Sequence, residues 1–327
     1  MRQRPLGRTG WTVSEIGLGT WQVGSDWGEV SDEEGRSAIH AALDAGVDFI
    51  DTADVYGDGR SERHIAAVLE EREEEPVVAT KAGRRLSPHE VEGYTEDNLR
   101  TFVDRSRENL AVETIDLLQL HCPPTEAYYR PAVFHALESL ADEGRIDEYG
   151  VSVETVEEGL KAIEYPGVQT VQMIFNPFRQ RPAELFFREA KRRDVGVIVR
   201  VPLASGLLTG TIDADDEFAE DDHRNYNREG EAFDRGETFA GVPLEDGVEA
   251  VEELRPVVPE GATMAQFALR WILSFDAVST VIPGSTNPEH IRQNVEAADL
   301  PAPDDAQHRA VRDVYDHHVV PAVHHRW

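Results

Sequence analysis

The chain has 327 residues, 40% of them hydrophobic, and carries 63 acidic against 32 basic side chains for a formal net charge of −31. That length supports one large core. No apolar run reaches the ~18 residues of a membrane helix, and the acidic excess excludes the basic patches that nucleic-acid binding needs. Lysine occurs only at Lys81, Lys161 and Lys191, and the single cysteine, Cys122, rules out an intrachain disulfide. MRQRPLGRTG lacks the apolar stretch of a signal peptide, so the expected compartment is the cytoplasm. Such an excess of like charge repels itself unless salt screens it, which points to a salt-adapted protein.

Residues 1–15 read as an N-terminal β-hairpin around a Gly-containing turn. Eight strand-like runs follow: IGLGT, VDFID, VVATK, IDLLQLH, DEYGVS, VQMIFN, VGVIVRV and STVIPG. Several are continuously apolar, as parallel strands covered on both faces are. Helix-like stretches separate them. In TEDNLRTFVDRSRENL, Leu99, Phe102, Val103, Ser106 and Leu110 recur at three- and four-residue intervals, and Ser61 is the expected N-cap of the helix GRSERHIAAVL. Strand–helix alternation repeated eight times predicts an α/β fold, a (β/α)8 barrel spanning 1–327 as one domain. Two segments fall outside the rhythm. Residues 212–241 form a long acidic loop, the length of a functional lid. The tail, 301–327, carries His317, His318, His324 and His325. No neighbouring Cys or Glu completes a metal site there, so a surface or packing role is expected and no metal is assigned.

Every strand end of a parallel barrel opens on one face. Asp51, Lys81 and His121 end three of the runs, and Tyr56 follows Asp51 in DTADVYG. Together they make a proton donor for a carbonyl. A tyrosine's reference pKa of about 10 is too high for exchange at neutral pH. Lys81 is the cation expected to lower it, Asp51 would hold Lys81, and His121 would orient the substrate oxygen. Singly, each has a plain reading: a loop cap, an ion pair, a packed ring. A metal-dependent hydrolase using Asp51, Asp54, His64 and His121 is the rival constellation. It fails because the helix pattern carries His64 away from the strand ends. Cys122 has no motif of a nucleophile and reads as packing.

These residues resemble the catalytic tetrad of the aldo-keto reductase family. SEIGLGTWQVG, VDFIDTADVYGDGRSE, SRENLAVETIDLLQLH, LADEGRIDEYGVS, VQMIFNP, VPLASGLLTG and VIPGSTNPEHIRQNV follow in the family's order. The resemblance implies an oxidoreductase that passes hydride between a nicotinamide and an aldehyde or ketone, or the corresponding alcohol, with Tyr56 as acid and base. It places the cofactor against Gly19, Thr20, Trp21, Asp51, Ser152 and Gln172, with Val153 where relatives often have Asn. Arg200 stands where many relatives stack an aromatic residue on the nicotinamide. A guanidinium can stack too, and the alternative is an ion pair with the acidic loop. Val201, Pro202, Leu203, Gly206, Leu208 and Gly210 would follow the pyrophosphate. Gly284, Ser285, Thr286, His290, Gln293 and Asn294 would receive the adenosine end. NADP is the expected cofactor on the family's preference, with NAD the alternative, because no Lys or Arg occupies the 2′-phosphate positions, although Arg292 is near. Trp21, Trp27, Tyr56 and His121 would line the substrate mouth. Loop arginines Arg224, Arg228 and Arg235 would pair with phosphate under a closing lid. A cofactor-binding regulatory subunit, like the potassium-channel β-subunits of this family, is the runner-up. Substrate identity and oligomeric state are not legible.

Overall fold

The computed structural model describes residues 1–24 and 30–326; the expected substrate residue Trp27 lies outside them. Gln3–Pro5 (β1) and Thr12–Ser14 (β2) pair antiparallel as the N-terminal hairpin. Then come Leu18–Gly19 (β3), Phe49–Asp51 (β4), Val77–Ala82 (β5), Ile115–His121 (β6), Ile146–Ser152 (β7), Val168–Ile174 (β8), Gly196–Arg200 (β9) and Val278–Val281 (β10), parallel neighbours in one sheet. Parallel bridges Ile16–Val281 and Gly19–Gly284 join the sheet's two edges. The sheet thereby curls into the barrel that the alternation predicted. β8 begins three residues before the apolar run VQMIFN, because Gln169 and Thr170 interrupt the apolar pattern without ending the strand.

Helices cover the outside. In chain order they are Trp21–Gly24 (α1), Asp32–Asp44 (α2), Arg60–Glu70 (α3), Glu96–Leu110 (α4), Pro131–Asp142 (α5), Val156–Ala162 (α6), Phe186–Arg192 (α7), His223–Tyr226 (α8), Leu244–Leu254 (α9), Met264–Ile272 (α10), Pro288–Glu296 (α11), Asp305–Val314 (α12) and Val320–Val323 (α13). Local chemistry sets several starts. Ser31 with Glu34, Thr155 with Glu158, Thr263 with Gln266 and Asp304 with Gln307 form reciprocal capping boxes. α4 buries Leu99, Val103, Ser106 and Leu110 and half-buries Phe102. Ser61 is not a cap: Gly59 occupies that position, and the buried Ser61 hydroxyl bonds Thr20 and Thr52 at 2.7 and 2.9 Å.

The barrel lumen decides where the chemistry can stand. Leu6 and Val13 of the hairpin close its floor against Phe49, Ala79, Leu117 and Ile198. Side chains alternate along a strand, so two residues further on the same rows carry Asp51, Lys81, Gln119 and Arg200. The apolar floor thus gives way to polar groups at the strands' carboxyl ends.

Candidate active site

Lys81 is buried, and its ammonium donates to Asp51, to the Thr52 carbonyl at 2.8 Å and to the Tyr56 hydroxyl at 3.4 Å. Asp51 is held from its other oxygen by the amides of Gln172, at 2.6 Å, and Gln119, at 3.1 Å. Tyr56 is fixed from behind by close backbone approach. A Cβ on Gly24 would stand 2.6 Å from the Tyr56 Cβ, and Gly57, at φ +58°, would clash with the Gly24 carbonyl. The His121 ring meets Tyr56 edge-on, centroids 5.9 Å apart. Its Nδ1 is buried with no hydrogen-bond partner among the described residues. The four residues are therefore brought together, three of them on strand ends and Tyr56 on the turn before α3.

Burial, with Arg84 and Lys81 nearby, holds the His121 imidazole well below its usual pKa, so it is neutral. Burial opposes the charge of Lys81, but Asp51 and Tyr56 outweigh it and its pKa is raised. The expected lowering of the Tyr56 pKa is not the net result in this structure. Burial raises it, Lys81 pulls it down by less, and Asp51 adds to the rise.

A cavity of about 340 Å³ runs from Tyr56 and His121 along the strand ends to α11. Gly19, Thr20, Trp21, Asp51, Gln172, Arg200, Val201, Pro202, Leu203 and Gly206 line it, and so do Gly284, Ser285, His290, Gln293 and Asn294. Val201, Ala204 and Ser205 take left-handed backbone angles beside Gly206, the kind of strain that concentrates at ligand clamps. One continuous cleft with the tetrad at one end and polar groups at the other fits an elongated dinucleotide.

Four expected cofactor residues lie off the wall. The buried Ser152 hydroxyl faces the Cys122 thiol, 3.6 Å away, Leu208 belongs to the core, and Gly210 sits against Met264. Thr286 is not among the lining residues. The sequence reading missed Gln22, Ser205, Thr209, Thr211, Thr263 and Glu237. A Cβ on Gly284 would collide with the Gln22 amide oxygen, so Gln22 fills the space where a side chain at 284 would begin. Cys122 is buried and its thiol is pushed up to about 11, which suits packing and not nucleophilic attack.

The acidic loop is folded onto the cavity. Arg84, just past β5, and Arg200, at the end of β9, bind the two oxygens of Glu237 at 2.8 and 3.2 Å. Burial opposes the Glu237 charge, but Arg200 and Arg84 outweigh it and bring its carboxyl down to about 2. Arg200 therefore both lines the cleft and pairs with the loop. Buried His223 lies against Trp21, centroids 4.7 Å apart, and Phe233 meets Trp21 at 5.8 Å. The loop arginines differ from expectation, being engaged with loop groups. Arg224 pairs with Asp222 at 2.6 Å beside Gly206, Arg235 with Glu229 at 2.7 Å, and Arg228 donates to the Arg224 carbonyl at 2.9 Å.

Comparison with known proteins agrees with this geometry. YqkF of Bacillus subtilis (strain 168), an uncharacterized oxidoreductase, is 28% identical over 303 residues, 91% of each chain. A probable voltage-gated potassium channel subunit beta of Arabidopsis thaliana is 27% identical over 317 residues, 92% of each. The solved structure of the glycerol dehydrogenase AKR11B4 from Gluconobacter oxydans superposes with a TM-score of 0.77 at 28% identity, over 97% of this chain and 96% of that one. The model of the aldo/keto reductase family matches residues 15–316, and the chain belongs to that family.

Proposed function

We propose that this protein is a working NAD(P)-dependent oxidoreductase that interconverts an aldehyde or ketone with its alcohol, with Tyr56 as the proton donor and acceptor. The observation that carries the reading is the buried Lys81 ammonium, locked to Asp51 and 3.4 Å from the Tyr56 hydroxyl at the open end of the barrel. The nicotinamide supplies the hydride, which no side chain can. Tyr56 gives its proton to the carbonyl oxygen, and Lys81 stabilises the phenolate left behind. Neutral His121 donates a hydrogen bond that orients that oxygen. Gln172, Arg200 and Trp21 flank the reacting end, and Phe233 packs against Trp21. These assembled groups favour an enzyme over a regulatory subunit of the same fold.

The family's preference points to NADP, but the far end of the cleft favours NAD. Gln22 occupies the place of a side chain at 284, and His290 is the only basic residue among the described ones that line that end. Arg292 is tied to Glu289 at 3.0 Å, and Glu289 also accepts from Gln293 at 3.3 Å. A 2′-phosphate would find no uncommitted guanidinium among the described residues that line that end. We therefore read NAD(H) as the preferred cofactor and a small-molecule carbonyl as the substrate.

Tyr56→Phe is the decisive variant. It keeps the ring and loses only the proton, so cofactor affinity should stay near that of the parent. Carbonyl reduction should fall by two orders of magnitude or more, about 2.7 kcal/mol. Near-full activity would rule out Tyr56 as the acid. A panel of aldehydes, ketones and alcohols with both cofactors identifies the substrate class.

A further inference from the structure

The C-terminal histidines are not absorbed by the reaction. α12 does not run straight into α13: between them Tyr315–Val319 forms a π-helical turn. Pro321 supplies the local cause, because it has no N–H for the carbonyl of His317 four residues back. Single π-turns within helices are frequent at functional sites. Here the turn sets the imidazoles of His317 and His318 side by side, ring centroids 4.5 Å apart.

The acid that the neighbouring sequence lacks comes from another element. Glu253, next to last in α9 and 65 residues away, brings its carboxylate 2.8 Å from His318 Nε2. One ligand atom from each of Glu253, His317 and His318 lies within 4.8 Å of the others. Glu253 and His317 are exposed and His318 is half-buried, so solvent reaches the group. The other tail histidine with a defined role is occupied, since His324 Nδ1 meets the Tyr315 hydroxyl at 2.7 Å.

We propose that Glu253, His317 and His318 form a surface site for a divalent transition-metal ion, Zn²⁺ first among them. Two neutral imidazoles and one carboxylate are a zinc donor set, with water completing a tetrahedron. Imidazole selects such ions over Mg²⁺ and Ca²⁺, which take oxygen ligands. None of the three residues lines the active-site cleft, so the role of the ion is structural. It clips the C-terminal tail to α9, and α9 packs on the turn Ala204–Thr209 at the cofactor cleft. An ion bound there holds the tail against the wall of the active site without entering the chemistry.

The test is calorimetric titration of the full chain with ZnCl₂ in concentrated KCl with excess MgCl₂, which saturates non-specific cation binding to the acidic surface. The expected result is one Zn²⁺ per chain. His317→Ala, His318→Ala and Glu253→Gln should each weaken binding by about tenfold or more, a decade for a lost ligand, while His325→Ala binds as the parent does. Because Glu253 stands on a different element, Glu253→Gln decides the matter if a tail variant misfolds. Absence of stoichiometric binding overturns the proposal, and so does unchanged affinity in the His317→Ala, His318→Ala double variant. Bound Zn²⁺ should also slow tryptic cleavage after Arg312. Binding without that protection would overturn the clip.

Discussion

At the residue scale, charges are neutralised by partners where catalysis needs them and left without partners at one buried carboxyl. Asp54 lies between Asp51 and Tyr56 in sequence, is fully buried, and neither of its oxygens has a hydrogen-bond partner among the described residues. Burial, with Glu62 adding to it, raises its carboxyl to about 7, against weaker pulls from Arg85 and Arg105. An acid whose pKa rises on folding favours the fold while protonated. Its contribution is full below about 4, the unfolded value, and is lost as pH climbs to about 7. Asp54→Asn, which stays neutral, should therefore melt higher than the parent at about pH 8 and approach it only at about pH 4, since each tenfold change in proton affinity on folding is worth about 1.36 kcal/mol. An equal difference at both pH values would mean that Asp54 is ionised throughout. The adenosine end offers a second single-residue test. His290→Arg puts a permanent guanidinium at the cleft rim and should raise kcat/KM for NADPH relative to NADH by about tenfold, the worth of one partly buried charged contact of about 1.4 kcal/mol. An unchanged ratio would place the 2′ position elsewhere.

At the element scale, one carboxylate between two guanidiniums is among the links that join the acidic loop to the barrel. Glu237→Gln keeps the shape and removes the charge, leaving Arg84 and Arg200 short of a counter-ion. Breaking a buried pair from one side is costly. The loop should open more often, and cleavage within residues 212–241 should accelerate by about tenfold for each 1.4 kcal/mol lost, since proteolysis tracks the open population. Saturating NADH should slow cleavage in the parent and less so in the variant, and equal cleavage with and without cofactor would remove the lid role. Glu237 is also where sequence reading runs out. Asp51, Lys81 and His121 are legible because they end apolar strand runs, and barrel geometry turns strand ends into neighbours. Glu237 sits in a stretch with no periodicity, and its acidity reads as solvated surface. Only the fold sets it opposite Arg84, 153 residues away. Gln22 and Ser205 could have been found as neighbours of Trp21 and Gly206. Ser152 lies off the cleft wall, its hydroxyl 3.6 Å from the buried thiol of Cys122, whose backbone is left-handed at φ +46°.

At the scale of the whole molecule, acids outnumber bases so far that arginines are shared. Arg72 bridges Asp44 and Glu74, Arg100 bridges Glu96 and Glu143, and Arg145 reaches both Asp104 and Glu143. Sharing relieves repulsion locally, but exposed pairs contribute only about 0–1 kcal/mol each, and the net charge of −31 remains. The folded state concentrates that charge more than the unfolded chain does, so its self-repulsion opposes folding and salt should relieve it. Screening alone has a signature. The Debye length falls from about 10 Å at 0.1 M to about 3 Å at 1 M, and little is left to screen beyond that. If the surface is built for salt, melting temperature and turnover should climb from about 0.1 M KCl and keep climbing past about 1 M, where screening has nearly saturated and cations accumulating at the carboxylates are the remaining stabiliser. A plateau near 1 M would leave screening as the whole effect. A flat melting temperature from about 0.1 to 2 M would mean that the acidic surface carries no adaptation to salt at all.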